Sequence, residues 1–255
     1  NDFFDFCRVG VCYRRRRLPV RALLAQLRVE LILSLRRGES LLITIVVPVV
    51  LLVFFGAVAA TPPDFLVPGL LALAIMSTSM VSLGIATAYE RYYGALKRLL
   101  GSPLPRTSLI AAKTLAVLLI EVVQVIVLVL IARVMFGWSP TGSYVEAGVA
   151  LILGSAAFAG LGLLMAGSLR AEATLAIANG LYLVFLLLGG FILPLDRLPG
   201  PISAAAHALP AAALTDATRG ALSSLPAQAE LGPLALLAAW AVAALGAAAV
   251  TFRAE

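Results

Sequence analysis

The sequence has little charge, almost no sulfur chemistry and none of the short motifs that carry catalysis. Charged residues make up 13% of the 255, against 62% hydrophobic. A soluble globular domain carries about 25% charge, so a water-facing surface over most of this chain is excluded. The only cysteines, Cys7 and Cys12, lie near the start, and the single histidine, His207, is far from both. That leaves no Cys/His set with zinc-ligand spacing. The phosphate-cradling pattern G-x-x-x-x-G-K-[ST] does not occur, nor do H-E-x-x-H or G-x-S-x-G, so no ATP hydrolysis, zinc-protease or serine-hydrolase chemistry is expected. Convergent titratable groups, which an enzyme needs, are equally scarce, and the chain is not read as an enzyme.

What is present is apolar length. Mean hydropathy is +1.03, and a hydrocarbon core ~30 Å thick takes about 20 helical residues. Six runs qualify, at roughly 41–60, 66–88, 109–132, 147–169, 173–193 and 233–252. Backbone groups in lipid must bond within their own segment, so all six are predicted helices, the first kinked at Pro48. The expected fold is an all-α integral membrane protein: a tail over 1–17, an amphipathic interfacial helix over 18–38, and a transmembrane domain over 39–255. In the interfacial helix Val20, Leu23, Leu24, Leu27, Leu31 and Leu35 share one face, with Arg21, Arg28, Arg36 and Arg37 off it. That describes a helix lying in the headgroup plane. The arginine run 14–17 is a topology signal, compatible with anionic lipid.

The net charge of +6 follows membrane topology rather than nucleic acid. Of the 19 Lys and Arg, 16 fall in the N-terminal segment, after the second run, or at Arg170 and Arg253. Cations collect on the cytoplasmic side, which puts both termini and the segment after the second run there.

Polar residues inside the runs are few. The second carries Ser77, Thr78, Ser79, Ser82 and Thr87, the fifth Asn179, and the fourth is rich in Gly and Ala from Gly154 to Gly162, as close helix packing requires. Glu121 sits near the middle of the third, with Gln124 one turn later. An intramembrane carboxyl is a functional candidate. It is either hydrogen-bonded glue between helices or a carrier of protons or cations, and both readings stay open. The external stretch 194–232 is too apolar for a solvated loop and too broken by Pro199, Pro201 and Pro210 to span. Ala204–Leu209 and Ala211–Leu222 are helix-compatible within it.

The longest polar interruption, Tyr89 to Lys113, contains Leu96, Leu99 and Leu100 at helical spacing. The pattern predicts a short amphipathic helix over about 90–100, broken by Gly101 and Pro103. The set Glu90-Arg91, Gly94-x-Leu96, Leu99-Leu100, Pro103-Leu104-Pro105, Lys113 resembles the segment between the second and third spans of ABC-2 type permeases. A second stretch is similar too: Pro194-Leu195-Asp196-Arg197-Leu198-Pro199, then Leu209-Pro210, then Asp216-Ala217-x-Arg219. The resemblance, to the daunorubicin-type drug efflux group among others, implies a specific machine. It would be the transmembrane subunit of an exporter, with no cofactor of its own, because ATP and Mg bind a separate ATPase subunit. The 90–100 helix would be the coupling helix, with Leu96, Leu99 and Leu100 docking on the ATPase. Glu90, Arg91, Lys97 and Arg98 would set its register, and Gly94 belongs to the same coupling set. A second permease chain, identical or similar, would complete the pathway. Ser77, Thr78, Ser82 and Asn179 would flank the substrate route, and a re-entrant pair bearing Pro194, Pro199, Pro210, Asp216 and Arg219 would cap its exit. The implied cargo is an apolar or amphipathic drug or lipid, with antibiotic resistance as one outcome, in a bacterial plasma membrane. The alternative is a secondary carrier, ion- or proton-coupled through Glu121.

Overall fold

The protein is described from a computed structural model covering residues 20–36, 38–58, 61–95, 106–191, 195, 199–222 and 231–251. Among these residues there is no strand. The interfacial segment forms α1 (Val20–Arg36), followed by α2 (Gly38–Val53), which runs on through a π-helical turn at Phe54–Val58. Next come α3 (Pro63–Met76), a second π-helical turn (Ser77–Ser82) and α4 (Leu83–Tyr92), together one unbroken helix of 30 residues. Then follow α5 (Arg106–Phe136), α6 (Tyr144–Ser168), α7 (Ala171–Leu188), two short helices α8 (Gly200–His207) and α9 (Pro210–Leu222), and α10 (Leu231–Thr251). Pro63 opens α3 at a position whose N–H has no helical partner anyway. Ser143 caps α6 by accepting from the Glu146 amide at 3.3 Å.

Among the described residues, five helices are long and apolar enough to cross a bilayer: Pro63–Tyr92, Ser108–Phe136, Tyr144–Ser168, Ala171–Leu188 and Gly232–Thr251. The first predicted span corresponds to α2 with the π-helical turn that continues it to Val58, and Thr44–Val58 is its apolar part. The second span differs from expectation at its end. It continues to Tyr92, so Glu90 and Arg91 belong to its last turn rather than to a separate helix. The break falls at Gly94, whose φ of +72° suits a residue without a Cβ.

Pro63–Tyr92 is the central helix. Within its most apolar window 83% is buried, against 22% for α7 and α10, and every residue from Leu66 to Met76 is buried. The small residues of α6 allow this packing. A Cβ on Gly162 would stand 2.7 Å from the Met80 carbonyl oxygen, and one on Gly84 would stand 3.1 Å from Gly162 Cα. On its other side α6 meets α10, where a Cβ on Gly160 would come within 2.7 Å of the Ala244 Cβ. On α5, by contrast, Leu119, Val122, Val123, Ile126 and Leu130 form an exposed apolar stripe suited to lipid.

Two packing groups emerge. In one, α1 lies along α5 and α2 touches both α3 and α5; in the other, α4 packs on α6 and α7. The orientation of α1 adds to the sequence expectation. Its buried residues are Gln26 and Glu30, while Leu24, Val29, Ile32, Leu33 and Leu35 are exposed along with Arg28 and Arg36. The helix therefore turns polar side chains to the protein and apolar ones outward. At the far end α9 packs on α3, α6 and α10.

Replacing Gly162 with Val forces a side chain into the span 2 backbone and is expected to cost about 1–3 kcal/mol. Gly148, on the same helix but with open space around it, serves as the control. Thermal unfolding in detergent should show a lower midpoint for Gly162→Val and an unchanged or raised one for Gly148→Ala.

Candidate functional site

A cavity of ≈ 890 Å³ opens between the two packing groups. Its walls come from α1, α2, the Pro63–Tyr92 helix, α5 and α7. The middle is lined by Leu, Val, Ile and Ala with Ser77, Thr78, Ser82, Asn179 and Tyr182, and the end nearest α1 by Glu30, Ser34, Tyr89, Glu90, Tyr93 and Lys113. An apolar cavity with a few convergent polar groups is the default binding site.

The π-helical turn at Ser77–Ser82 sets which hydroxyls face where. A π turn carries an extra residue and re-aims the side chains beyond it. Here Ser77, Thr78 and Ser82 line the cavity, whereas Ser79 is fully buried and reaches Glu121 of α5. The Thr78 hydroxyl lies 3.0 Å from the Ala74 carbonyl and 2.9 Å from Gln124 Oε1. Ser79 likewise faces the Ile75 carbonyl at 2.7 Å as well as the Glu121 carboxyl. Each hydroxyl has one proton for two acceptors, so each can trade partners without leaving its place. Gln124 donates to the Thr44 carbonyl of α2 at 2.6 Å. Ser155 of α6 brings a further hydroxyl to Glu121, in a geometry too poor for a regular hydrogen bond, so that Glu121 Oε2 and Ser155 Oγ both lack a well-formed one. A polar seam thus ties α2, the π turn, α5 and α6 across the middle of the bundle.

A second polar node closes the α1 end of the cavity. Lys113 is only 2% exposed, and its ammonium lies 3.0 Å from Glu30 and 2.6 Å from Glu90. Gln26 steadies Glu30 with a 3.0 Å hydrogen bond. Beside it, Arg91 donates to the carbonyls of Gly167 and Leu169, each at 2.5 Å, where the C-terminal end of α6 favours a cation. The last turn of α4 is thereby fastened on both sides.

The opposite end is held by Arg219 of α9. It donates to the Gly190, Phe191 and Phe65 carbonyls at 2.6, 3.2 and 3.3 Å and lies 3.7 Å above the Phe65 ring centroid, joining the end of α7 to the start of α3. Asp216 faces His207 at 3.3 Å. Pro199 precedes α8 and Pro210 opens α9.

Ser77, Thr78, Ser82 and Asn179, named from the sequence, do come together around one cavity, although the Asn179 amide also bonds back to the Leu175 carbonyl at 2.9 Å. Glu121 and Gln124 lie behind its wall. Glu90 and Arg91 have partners within the chain, and Gly94 ends their helix. Leu96, Lys97, Leu99, Leu100 and Pro194 lie outside the described residues. Sequence reasoning missed Glu30, because it sits in a helix judged by its leucine stripe. It also missed Lys113 as a buried cation, though both are polar residues beside long apolar runs.

The sequence matches the ABC-2 type transporter family over residues 21–222. This chain is a member of that family. No curated protein matches it. In this ABC-2 type transporter the matched region runs from the second residue of α1 to the last of α9. The cavity walls, the polar seam and both end nodes therefore all lie inside it. Members are transmembrane components without catalytic groups of their own, in keeping with a site built for binding and movement.

Glu121 is open to a direct test. A Gln at 121 keeps an acceptor and a donor for Ser79 and Ser155 but cannot carry a proton. If the group is interhelical glue, Glu121→Gln retains transport in proteoliposomes with an unchanged pH profile. Glu121→Leu, which strands buried hydroxyls, loses about 1–3 kcal/mol of stability. A pH profile flattened by Gln establishes the proton-carrying role instead.

Proposed function

We propose that the chain is the permease subunit of an ATP-driven exporter that moves an apolar or amphipathic compound out of the cell by alternating access. The cavity carries this reading. Its walls belong to elements that pack as two groups, and one wall ends in α4, directly before the segment that resembles a coupling helix. Movement imposed on that segment reaches the cavity through a single continuous helix, Pro63–Tyr92. Its apolar middle with a few hydroxyls suits an amphiphile better than a polysaccharide.

In this mechanism six spans, with Thr44–Val58 as the core of the first, form half of the pathway, and a second permease chain supplies the rest. An ATPase subunit docks on Leu96, Leu99 and Leu100 from the cytoplasm, where both termini also lie, and binds ATP and Mg. ATP binds the closed ATPase arrangement more tightly, and that differential affinity is what shifts the permease between states. The helices α8 and α9 dip back from the outer surface to cap the exit, with Arg219 as their anchor. The setting is a bacterial plasma membrane.

The test is co-purification and stimulation. The chain should carry an ATPase subunit through detergent, and Leu96→Glu or Leu99→Glu should leave it inserted yet abolish its stimulation of ATP hydrolysis. Transport by the purified chain alone would overturn the proposal.

A further inference from the structure

The cavity is bridged in two different ways. At mid-height the hydroxyl seam joins the π turn to α5, and further along α3 packs directly on α5. Toward the α1 end the packing thins: among the described residues Leu83 of α4 joins Leu109, Ile110 and Val117 of α5 in a small apolar cluster, and beyond it α4 makes little direct contact with α1 or α5. The described polar connection there is ionic: Lys113 on α5 holds Glu30 on α1 and Glu90 on α4 at the same time. Lys113 and Glu30 sit on α5 and α1, which lie along each other, and Glu90 sits on α4. Arg91, bonded to the end of α6, keeps α4 with the second group.

We propose that Lys113 is a positioning residue for transport, acting as a cation shared by two carboxylates so that the cavity can open at its α1 end. Parting an isolated buried ion pair strands a charge in a poor solvent, which makes such pairs strong locks. A shared ammonium avoids that cost. When α4 swings away, Lys113 keeps Glu30 while Glu90 moves toward water beyond the last turn of its helix. The pivot is the π turn at Ser77–Ser82, whose hydroxyls have alternative acceptors in place. This rests on the exporter reading for its direction, with the α1 end as the cytoplasmic mouth, but not for its existence.

Spin labels at Arg28→Cys on α1 and Tyr92→Cys on α4, both exposed positions, in a Cys7→Ser/Cys12→Ser background, report the separation by double electron–electron resonance in proteoliposomes. Without nucleotide, the parted distance should be a minor population, below about a tenth. Glu90→Gln removes the releasable partner and should make the parted distance the majority. Glu30→Gln should do the opposite, since releasing Glu90 would then strand Lys113. It should hold the short distance and suppress any lengthening caused by nucleotide and the ATPase subunit. A merely structural cluster would loosen in the same direction in both variants. Equal behaviour of the two, or no lengthening in Glu90→Gln, overturns the proposal. If Glu90→Gln does not insert, a Glu30→Gln protein that still populates the parted distance like the wild type overturns it. Failure of the wild-type chain to stimulate an ATPase would sink the exporter reading, yet the nucleotide-free comparison would still decide this one.

Discussion

A polar side chain inside a hydrocarbon slab has only the protein to bond with. That constraint accounts for most of what distinguishes this bundle from a stack of greasy helices. The central helix Pro63–Tyr92 brings hydroxyls into the interior and must find them acceptors. Threonine and serine can bond to the carbonyl one turn back on their own helix, and Thr78 and Ser79 both lie within reach of such a carbonyl. Each also faces a longer side chain from α5. The result is a junction that holds α2, the π turn and α5 together while Thr78 and Ser79 each keep an alternative partner.

Ionic groups obey the same constraint more severely. Lys113 lies near the start of a 31-residue helix and is almost completely buried, so its charge needs counter-charges from elsewhere in the chain. One comes from Glu90, 23 positions earlier, the other from Glu30, 83 positions earlier. Meeting that need turns Gln26 and Glu30 of α1 inward, while Leu24, Leu33 and Leu35 face out. In water such a helix would be inside-out. At a membrane surface it satisfies both neighbours, because the outward leucines meet lipid.

The apolar runs, the small-residue helix and the two helix-compatible stretches between the fifth and sixth runs were legible from the sequence because they rest on local pattern and length. The cavity residues Ser77, Thr78, Ser82 and Asn179 were legible as polar groups in apolar spans, though family resemblance was needed to bring them together. The ion cluster was not legible. Nothing in a periodic pattern tells Glu30 that its partner lies 83 residues on, and the leucine stripe around it drew attention to the wrong face. The resemblance gave Glu90 and Arg91 a part in setting register with an ATPase, and their contacts within the chain were not legible. A helix end beside other helix ends, however, offers nearer partners: a buried ammonium on one side and the terminal carbonyls of α6 on the other. The π turns were equally hidden, since a single extra residue in a helix leaves no compositional trace.

These constraints also decide how such a bundle can move. Backbone contacts such as Gly162 against Gly84 cannot slide without opening a gap that lipid tails fill poorly, which leaves α4 and α6 little freedom to part. Apolar contacts between α1 and α5 are as well satisfied by lipid as by each other, and so resist little on their own. Specific polar bonds then carry the preference for one arrangement, and a bond with two interchangeable partners is the cheapest place for that preference to change. One such place, the hydroxyls of the π turn, lies on the single helix that joins the cavity to the segment after Tyr92, and the other, the shared ammonium of Lys113, grips that helix near its end through Glu90. Under the proposed mechanism, in which movement is applied at that segment, the weak points belong along this line and the rigid contacts elsewhere.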